Sequence, residues 1–417
     1  MPPAPFADSV DADVLIVGAG MAGASLAFEL ARLGLAVAAI ERESQPGYHT
    51  TGRSAALYAP LYGNAPVRAL TRASLGFFRH PPAGFSDHPL LAPRGALFYG
   101  DAAEASALAA FADEIDAELK LTAAAGVPLP RPTRLDAAAL ARQAPFLRTE
   151  AGGVGREEGE VRLITGGLLD ASAEDIDVHA LLSGYWRQAR AAGARLMTGV
   201  DLARLDVGRD RGGWRLAATG GGRPLVIRAA RLAICAGAWA DPIARQLQLD
   251  PLGIEPRRRT ALVFEPAGGP GAGCLGPDSP MAISLGEDVY FKPDAGRILL
   301  SPADETPSPP TDAQPDEIDI ACAIDRLERD SRLRVGRITG RWAGLRSFAA
   351  DRAPVAGFDP REPALFWLVG QGGYGIQMAP ALARFAAAAI AGRSVPTDIE
   401  DQGLAADAIG AGRLCGR

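Results

Sequence analysis

The sequence predicts an α/β (α+β) fold in which a β-α-β unit with a glycine-rich turn is combined with a region of antiparallel sheet. The unit starts with a short apolar strand at residues 13–17, continues through glycines into a helix at 21–33, and adds a second strand at 36–41. Antiparallel structure is indicated by 257–264 and by two strand-like segments that flank the turn at 293–296. A chain of 417 residues is long enough for two domains, or for one large domain with a second inserted into it.

The other segments extend this alternation of helices and strands. Residues 101–120 carry a helical stripe of apolar side chains, and 177–194 predict a further helix that is followed by three strands. A proline-rich connection at 301–315 precedes another amphipathic helix. Residues 364–392 then repeat the opening order of strand, glycine-rich turn and helix.

Composition and charge exclude several functional classes. Hydrophobic residues make up 48% of the chain, and its net charge of −6 includes no basic stripe, so a nucleic-acid partner is not expected. The four cysteines are far apart, which disfavours a zinc site or a disulfide framework and favours the reducing cytoplasm. Acidic residues at the N-terminus and Glu29 inside a glycine-broken apolar run predict neither a signal peptide nor an integral membrane segment.

The first candidate site is the glycine fingerprint between the first strand and the first helix. Gly18 would allow the tight turn, Gly20 the approach of backbone to a pyrophosphate, and Gly23 the close packing of helix on strand. Glu41, at the end of the second strand, is placed to bind ribose hydroxyls. These residues predict a bound dinucleotide but leave NAD and FAD open, so a nicotinamide-dependent reductase is one hypothesis.

A polar loop follows the second strand, where a nicotinamide enzyme commonly continues with further β-α units. Its hydroxyls, its amides and the guanidinium of Arg53 suit a second set of phosphate contacts. An ordinary solvated surface loop is the alternative.

Several motifs together resemble the D-amino-acid oxidase superfamily of FAD enzymes, and within it the D-arginine dehydrogenases. The motifs are "ERESQPGYHTTGRSAAL", "DVHALLSGY", "AICAGAWAD", "WAGLRSF" and "VGQGGYGIQ". The resemblance implies an FAD-binding Rossmann-like domain interleaved with a substrate domain built on a mixed, largely antiparallel sheet. It places the FAD-binding domain at 1–87, 168–245 and 346–417, and the substrate domain at 88–167 and 246–345.

The resemblance also implies a set of FAD contacts along the whole chain. The late glycine loop would lie against the flavin ring, where a helix N-terminus stabilises negative charge on the reduced flavin. The implied contacts are Gly18, Gly20, Gly23, Glu41, Arg42, Thr51, Gly52, Arg53, Ser54, Ala55, Val200, Gly237, Gly372, Gly373, Tyr374, Gly375, Ile376 and Gln377.

Substrate recognition in the superfamily uses arginines against the amino-acid carboxylate, and the matching residues are Arg259 and Arg346. Arg259 shares a strand face with Ala261 and Val263, an apolar side on which a guanidinium needs an anion. An internal ion pair or an exposed edge strand is the alternative. The resemblance adds two tyrosines beside the carboxylate, a carbonyl for the amine and its polar neighbour, namely Tyr62, Tyr290, Gly373 and Gln377.

The side-chain pocket departs from that of the D-arginine dehydrogenases. Leu57, Ala59 and Ala96 stand where those enzymes have a histidine, a threonine and the glutamate that pairs with the cationic side chain. With Met281 and Ile283 at the other wall positions, the pocket is predicted to be apolar and to favour neutral side chains over those of D-Arg and D-Lys. A buried cation without its partner would be destabilised by several kcal/mol. Asp87 is the nearest carboxylate that could compensate.

The resemblance implies oxidative deamination of D-amino acids to 2-oxo acids and ammonia, with hydride transfer from Cα to flavin N5. The partners would be a small amino acid and an electron acceptor, either oxygen or a quinone, and the enzyme could lie at the inner membrane as a peripheral protein. Oxidation of an N-methylated amino acid or a 2-hydroxy acid, and a catalytically silent flavin-binding subunit, are the alternatives.

Overall fold

The computed structural model describes residues 8–124, 131–150, 161–201, 206–210, 213–220, 223–269 and 271–415. Its helices are α1 (Met21–Arg32), α2 (Ala65–Arg79), α3 (Ala105–Ala124), α4 (Ala137–Gln143), α5 (Val178–Ala191), α6 (Ala240–Gln246), α7 (Glu317–Asp330), α8 (Ala379–Ile390) and α9 (Thr397–Glu400). Its strands are β1 (Asp8–Val17), β2 (Val37–Glu41), β3 (Leu57–Tyr58), β4 (Leu91–Pro93), β5 (Ala96–Gly100), β6 (Thr133–Asp136), β7 (Gly166–Asp170), β8 (Glu174–Ile176), β9 (Arg195–Thr198), β10 (Asp206–Asp210), β11 (Gly213–Gly220), β12 (Arg223–Ile234), β13 (Glu255–Pro266), β14 (Met281–Ser284), β15 (Tyr290–Asp294), β16 (Arg297–Ser301), β17 (Thr306–Pro307), β18 (Val335–Phe348), β19 (Val355–Asp359), β20 (Glu362–Val369) and β21 (Gln371–Gly372).

The first sheet is built around five parallel strands in the order β9-β2-β1-β12-β20. Strand β19 pairs with β20, and the antiparallel β10 and β11 extend the sheet along the first half of β12. Helices α1, α2, α5 and α8 contribute to a single apolar core with one face of this sheet. The carboxyl ends of these five parallel strands therefore open on the same edge, where nucleotides bind in such sheets.

The second sheet is mixed and has the order β21-β18-β13-β16-β15-β14-β5-β7-β6. Its pairs are antiparallel except for β14 with β5. One face packs with α4 and α7, and the other face forms a separate apolar cluster. A small third sheet, β3-β8-β4, was not predicted from the sequence, because its strands have only two or three residues.

The predicted fold class is confirmed. The helices predicted at 21–33 and 177–194 are α1 and α5, and the turn at 293–296 joins β15 and β16. Ala295 and Gly296 there have φ of 48° and 80°, as the mirror-image hairpin turn requires. Strand β1 begins at Asp8, earlier than predicted, because β12 pairs with it along its whole length.

The predicted domain division remains a proposal. Two of its boundaries, at 168 and 346, fall inside strands β7 and β18 of the second sheet. Both strands cross between the regions that the division assigns to FAD and to substrate. Residues 202–205, which follow the predicted FAD contact Val200, lie outside the described residues.

Candidate active site

A cavity of about 440 Å³ extends from the carboxyl edge of the first sheet to the face of the second sheet. It is bordered by Val17, Glu41, Cys235 and Val369, at the ends of β1, β2, β12 and β20. The predicted FAD contacts that line it are Gly18, Gly20, Glu41, Arg42, Thr51, Arg53, Ser54, Ala55, Val200, Gly237, Gly372, Gly373, Gly375 and Ile376. Most of the predicted cofactor residues therefore lie around one continuous space.

The glycine fingerprint has no room for side chains. Gly18 has φ of 101°, and a Cβ at this position would lie 2.6 Å from the carbonyl oxygen of Cys235. A Cβ at Gly23 would lie 1.9 Å from the carbonyl oxygen of Gly18, so α1 packs directly on the turn. This is the cradle that a dinucleotide pyrophosphate needs at a helix N-terminus.

Thr51 and Glu41 fix the backbone around this cradle. The Thr51 hydroxyl accepts a hydrogen bond of 3.0 Å from the Met21 amide at the start of α1. The Glu41 carboxylate accepts hydrogen bonds from the amides of Ala19, at 2.8 Å, and Glu43, at 3.0 Å. Both carboxylate oxygens keep further acceptor capacity, so these bonds are compatible with the predicted contact to ribose hydroxyls.

Replacement of Thr51 by alanine is expected to weaken FAD binding, because the Met21 amide loses its acceptor and the loop loses its link to α1. A hydrogen bond of this kind contributes about 1 kcal/mol, so the dissociation constant of FAD should rise by about two- to tenfold. Fluorescence titration of the apoprotein with FAD measures this change. Thr51→Ser keeps the hydroxyl and should bind FAD as the wild type does, and equal weakening in both variants would contradict the assigned bond.

Arg53 differs from its predicted role. Its guanidinium donates to the carbonyl oxygens of Ala313, at 3.0 Å, and Ala343, at 2.9 Å, and forms a hydrogen-bonded ion pair with Asp312. Its own carbonyl accepts from the Trp342 indole at 2.9 Å. The guanidinium thus ties the loop to β18, and a phosphate contact from this residue would come from its backbone.

Four predicted FAD contacts lie outside the lining of the cavity, namely Gly23, Gly52, Tyr374 and Gln377. The Gly52 amide donates to the Gly47 carbonyl at 2.8 Å, which shapes the loop. The Tyr374 ring stacks edge-on against Tyr62 at 5.1 Å between ring centroids. Buried Gln377 accepts from the Ala59 amide at 3.0 Å, so it joins the late glycine loop to the substrate side of the polar loop.

The sequence analysis missed a cluster in the cavity lining that consists of Arg42, His49 and Trp239. The Arg42 guanidinium lies 4.5 Å from the centre of the Trp239 ring, and His49 lies 4.8 Å from it. Glu43 accepts a hydrogen bond from Arg42 and pairs with the His49 ring. Trp239 belongs to the "AICAGAWAD" motif, so the motif contained the signal, but only the fold brings it to Arg42.

The predicted carboxylate-binding residues Arg259, Tyr290 and Arg346 line the cavity where it meets the second sheet. Buried Arg259 donates to the Asp304 carbonyl at 2.9 Å and pairs with Glu305 at 3.4 Å. Within the described residues, the guanidinium of Arg346 has no hydrogen-bond or ion-pair partner. A Cβ at Gly373 would lie 2.6 Å from the Arg346 guanidinium carbon, so this glycine lets the cation lie against the late loop.

The two predicted tyrosines respond differently to this positive charge. Burial, followed by the charge of Glu287, raises the pKa of Tyr62, whose hydroxyl donates to Glu287 at 3.2 Å. Burial also favours a higher pKa for Tyr290, but the guanidinium groups of Arg259 and Arg346 outweigh it and lower the pKa of that phenol. Tyr290 therefore reports the excess of positive charge at this end of the cavity.

The lowered pKa of Tyr290 gives a pH dependence. Above that pKa the phenol is an anion and repels a carboxylate ligand. As the pH is raised, the dissociation constant of pentanoate should therefore begin to increase before the pH reaches about 10, the ordinary pKa of tyrosine. Pentanoate carries no amine, so its own ionisation does not contribute in this range. Calorimetric titration should show the rise in the wild type and in Tyr62→Phe but not in Tyr290→Phe. A rise that persists in Tyr290→Phe would assign it to another group.

Glu305 and Arg352 are further site residues that the sequence analysis missed. Arg352 donates two hydrogen bonds to Glu305, of 3.0 and 2.8 Å, and lies 4.1 Å from the centre of the Phe348 ring. Burial raises the pKa of Glu305, yet Arg352, Arg259 and Arg346 together lower it. Glu305 thus forms ion pairs with Arg257, Arg259 and Arg352, and no motif in the sequence marked it.

The predicted wall residues Leu57, Ala96, Met281 and Ile283 form one apolar cluster that also includes Tyr62 and Tyr290. They do not line the cavity described above, which ends at Tyr290. Asp87 is exposed and lies outside both the cluster and the cavity lining.

In the described part of the chain, no helix combines the length and apolar character that crossing a membrane requires.

The chain resembles one half of a set of curated bifunctional proteins. It is 29% identical over 367 residues to the tRNA 5-methylaminomethyl-2-thiouridine biosynthesis bifunctional protein MnmC of Burkholderia pseudomallei (strain 668). The matched region covers 85% of this chain and 49% of that protein. The chain therefore spans about half the length of the curated relatives it matches.

Solved structures share the fold at lower sequence identity. The L-amino acid deaminase from Proteus vulgaris has a TM-score of 0.76 and 16% identity, with 99% of both chains covered. The dithionite-reduced L-α-glycerophosphate oxidase from Mycoplasma pneumoniae with FAD bound also has a TM-score of 0.76 and 16% identity. The match covers 91% of this chain and 95% of that one.

The family assignment rests on most of the chain. Residues 13–389 match the family model DAO, described as FAD dependent oxidoreductase. This range contains the glycine cradle, the polar loop and both arginines at the far end of the cavity. The protein is therefore an FAD-dependent oxidoreductase and belongs to the DAO family.

Proposed function

We propose that the protein oxidises neutral D-amino acids at Cα, giving 2-oxo acids and ammonia. The observation that supports this most directly is Arg346, a cation without a described ion-pair partner that lines the cavity opposite the glycine cradle. Arg259 and Tyr290 lie beside it, and a substrate carboxylate would supply the missing anion. The position of the cationic pair at the far end of the cavity suits an amino acid that lies next to the flavin.

The residues of the chain would bind and orient the substrate. Arg346 and Arg259 would hold the carboxylate, and the Gly373 carbonyl would accept a hydrogen bond from the amine, so that Cα is fixed at two points. FAD, when bound, supplies the acceptor for the hydride that leaves Cα. Loss of a hydride from Cα leaves no Cα proton for a protein base to remove, so the substrate amine would react in its neutral form and water would hydrolyse the imine product.

The apolar wall supports a preference for neutral side chains. Ala96 and Leu57 offer no carboxylate to a cationic side chain, and exposed Asp87 does not replace one. The D configuration rests on the resemblance of the motifs to the D-arginine dehydrogenases, which stays a prediction. The fold itself leaves the configuration open, since an L-amino acid deaminase shares it.

A substrate panel tests this proposal. D-Leu, D-Met and D-Phe should give higher kcat/KM than D-Arg and D-Lys, and each turnover should release one ammonia. L-amino acids serve as the matched control for configuration. A highest kcat/KM for D-Arg, or equal rates for both enantiomers, would contradict the proposed substrate class.

Oxidation of an N-substituted amino acid is the second candidate, and the curated relatives favour it. Their name contains a methylaminomethyl group, which is a secondary amine, and a tRNA. The carboxylate contacts described above would suit an N-substituted amino acid equally. If the substrate were part of a tRNA, as the name of the relatives indicates for them, the partner would be a nucleic acid, which the charge pattern of this chain did not predict. Product analysis distinguishes the two, because an N-substituted substrate releases a primary amine in place of ammonia.

A further inference from the structure

Lys292 is an unusual residue for this chain. Of its 43 Lys and Arg residues only two are lysines, Lys120 and Lys292. Lys120 is exposed on α3, whereas the side chain of Lys292 is only 9% exposed. A buried lysine places a compact ammonium where arginine would place a broad, planar group.

The strand register places Lys292 next to the predicted wall residues of the side-chain pocket. On β15 it lies two residues beyond Tyr290 and shares its face, and it pairs with Leu299 of β16. The pairing of Ile283 with Tyr290 continues by one step to set Lys292 beside Met281. The same row extends to the other predicted wall position and to a buried carboxyl, because Met281 pairs with Ala96 and Ala96 with Asp170.

The ammonium is held on the pocket side by one carboxylate that it shares with Arg94. Asp175 accepts from Lys292 and from Arg94 Nε, the latter at 2.8 Å. Asp175 lies on β8 directly opposite Leu57, another wall residue. Two cations therefore share one carboxylate, and this group of three carries a net positive charge next to the apolar wall.

The ammonium also has unused hydrogen-bonding capacity. A lysine has three N–H donors, and Asp175 is the partner that the described residues provide for Lys292. Two residues along a strand correspond to about 7 Å, so the backbone of Lys292 lies about one side-chain length from that of Tyr290 at the carboxylate end. Met281, the neighbour that separates it from Ala96, is an adaptable side chain that can move to admit a substrate.

We propose that Lys292 is a specificity-determining residue that donates a hydrogen bond to an acceptor oxygen at the end of the substrate side chain. Among the neutral D-amino acids of the proposed function, the preferred substrates would then be those whose side chains end in a carbonyl group, and cationic side chains would be rejected by like charge. This inference rests on the proposed function, because it assumes that the carboxylate of an amino acid binds at Arg346 and Arg259.

Calorimetric binding to the holoenzyme tests the inference without turnover. Glutarate and pentanoate have the same number of carbons, but only glutarate carries a second acceptor group. Wild-type enzyme should bind glutarate at least about tenfold more tightly than pentanoate, as expected for a hydrogen bond to a charged group. In Lys292→Met the dissociation constants of glutarate and pentanoate should differ by less than about twofold. Asp175 keeps Arg94 as its partner in that variant.

Two controls accompany the measurement. Lys120→Met removes the same charge from the surface, and Lys292→Arg keeps a cation in the wall, so both should retain the preference for glutarate. An equal affinity for the two ligands in the wild type, or a preference that survives Lys292→Met, overturns the inference, and the first of these needs no variant. The ratio of kcat/KM for D-Gln to that for D-Leu should follow the same pattern. If no D-amino acid reduces the flavin but the calorimetric pattern holds, the proposed function fails and the role of Lys292 stands.

Discussion

Replacement of Arg346 by alanine is expected to lower kcat/KM by about 10²- to 10³-fold, with the reaction lost chiefly through weaker and misdirected binding of the substrate carboxylate. Arg346 lines the cavity, and its guanidinium contacts the late glycine loop at Gly373. Because none of the described residues pairs with this cation, its removal breaks no internal ion pair. The loss should therefore appear in kinetics and in pentanoate binding, while thermal stability changes little.

Arg337→Ala is the matched control for this variant. Arg337 lies on the same strand, β18, but its side chain is 75% exposed and pairs with Glu265 at the surface. Its removal should leave kcat/KM within about twofold of the wild type, as expected for an exposed ion pair. Similar kinetics for Arg346→Ala and the wild type would remove Arg346 from the carboxylate site.

Gly23→Ala is expected to have the largest effect on the folded protein. The added Cβ would lie 1.9 Å from the Gly18 carbonyl oxygen and 3.2 Å from the Ile16 side chain, so α1 would have to move away from β1. Such overpacking destabilises by about 3 kcal/mol or more and would also displace the helix N-terminus from the pyrophosphate. Chemical denaturation and the FAD content of the purified protein measure the two effects.

Gly76→Ala provides the comparison within a helix. Gly76 lies in α2, is exposed, and a Cβ there would have no neighbour within 4 Å. Alanine should leave stability unchanged or raise it by up to about 1 kcal/mol, because it favours the helix. Normal FAD content in Gly23→Ala would show that the close approach of helix and turn is not required.

The sequence predicted those parts of the fold and site that depend on local pattern. Gly18 and Gly23 are specified by a spacing that only a strand, a tight turn and a helix can use, and their contacts agree with it. The resemblance of motifs brought together Arg259 and Arg346, which lie on the paired strands β13 and β18. Their presence around one cavity follows from that pairing, which no single segment shows.

The parts that were missed depend on contacts between distant segments. Glu305, in the chain after β16, lies next to the carboxylate site only because Arg259 on β13 and Arg352 after β18 come to it in the fold. Arg53 was predicted to contact phosphate. Its actual partners, the carbonyls of Ala313 and Ala343, lie 260 and 290 residues away in the sequence and could not be recognised there. Polar composition identifies a loop that binds something, but only the fold shows which polar groups are already paired.

The small third sheet shows the same limitation. Leu57 was predicted as a wall residue from its motif, and the structure places it on β3 opposite Asp175. Strands of two or three residues leave no periodic pattern, so their pairing was not predictable. As a result, the ion pair between Asp175 and Lys292 beside the pocket could not be anticipated.

The most direct test of the proposed function is anaerobic reduction of the purified holoenzyme by single D-amino acids, followed by absorbance. D-Leu or D-Met should bleach the oxidised flavin completely, with one 2-oxo acid and one ammonia formed for each flavin reduced, and D-Arg should bleach it far more slowly. Arg346→Ala with the same FAD content should bleach slowly with every substrate. If dithionite reduces the wild-type flavin but no D-amino acid does, the enzyme does not have the proposed activity.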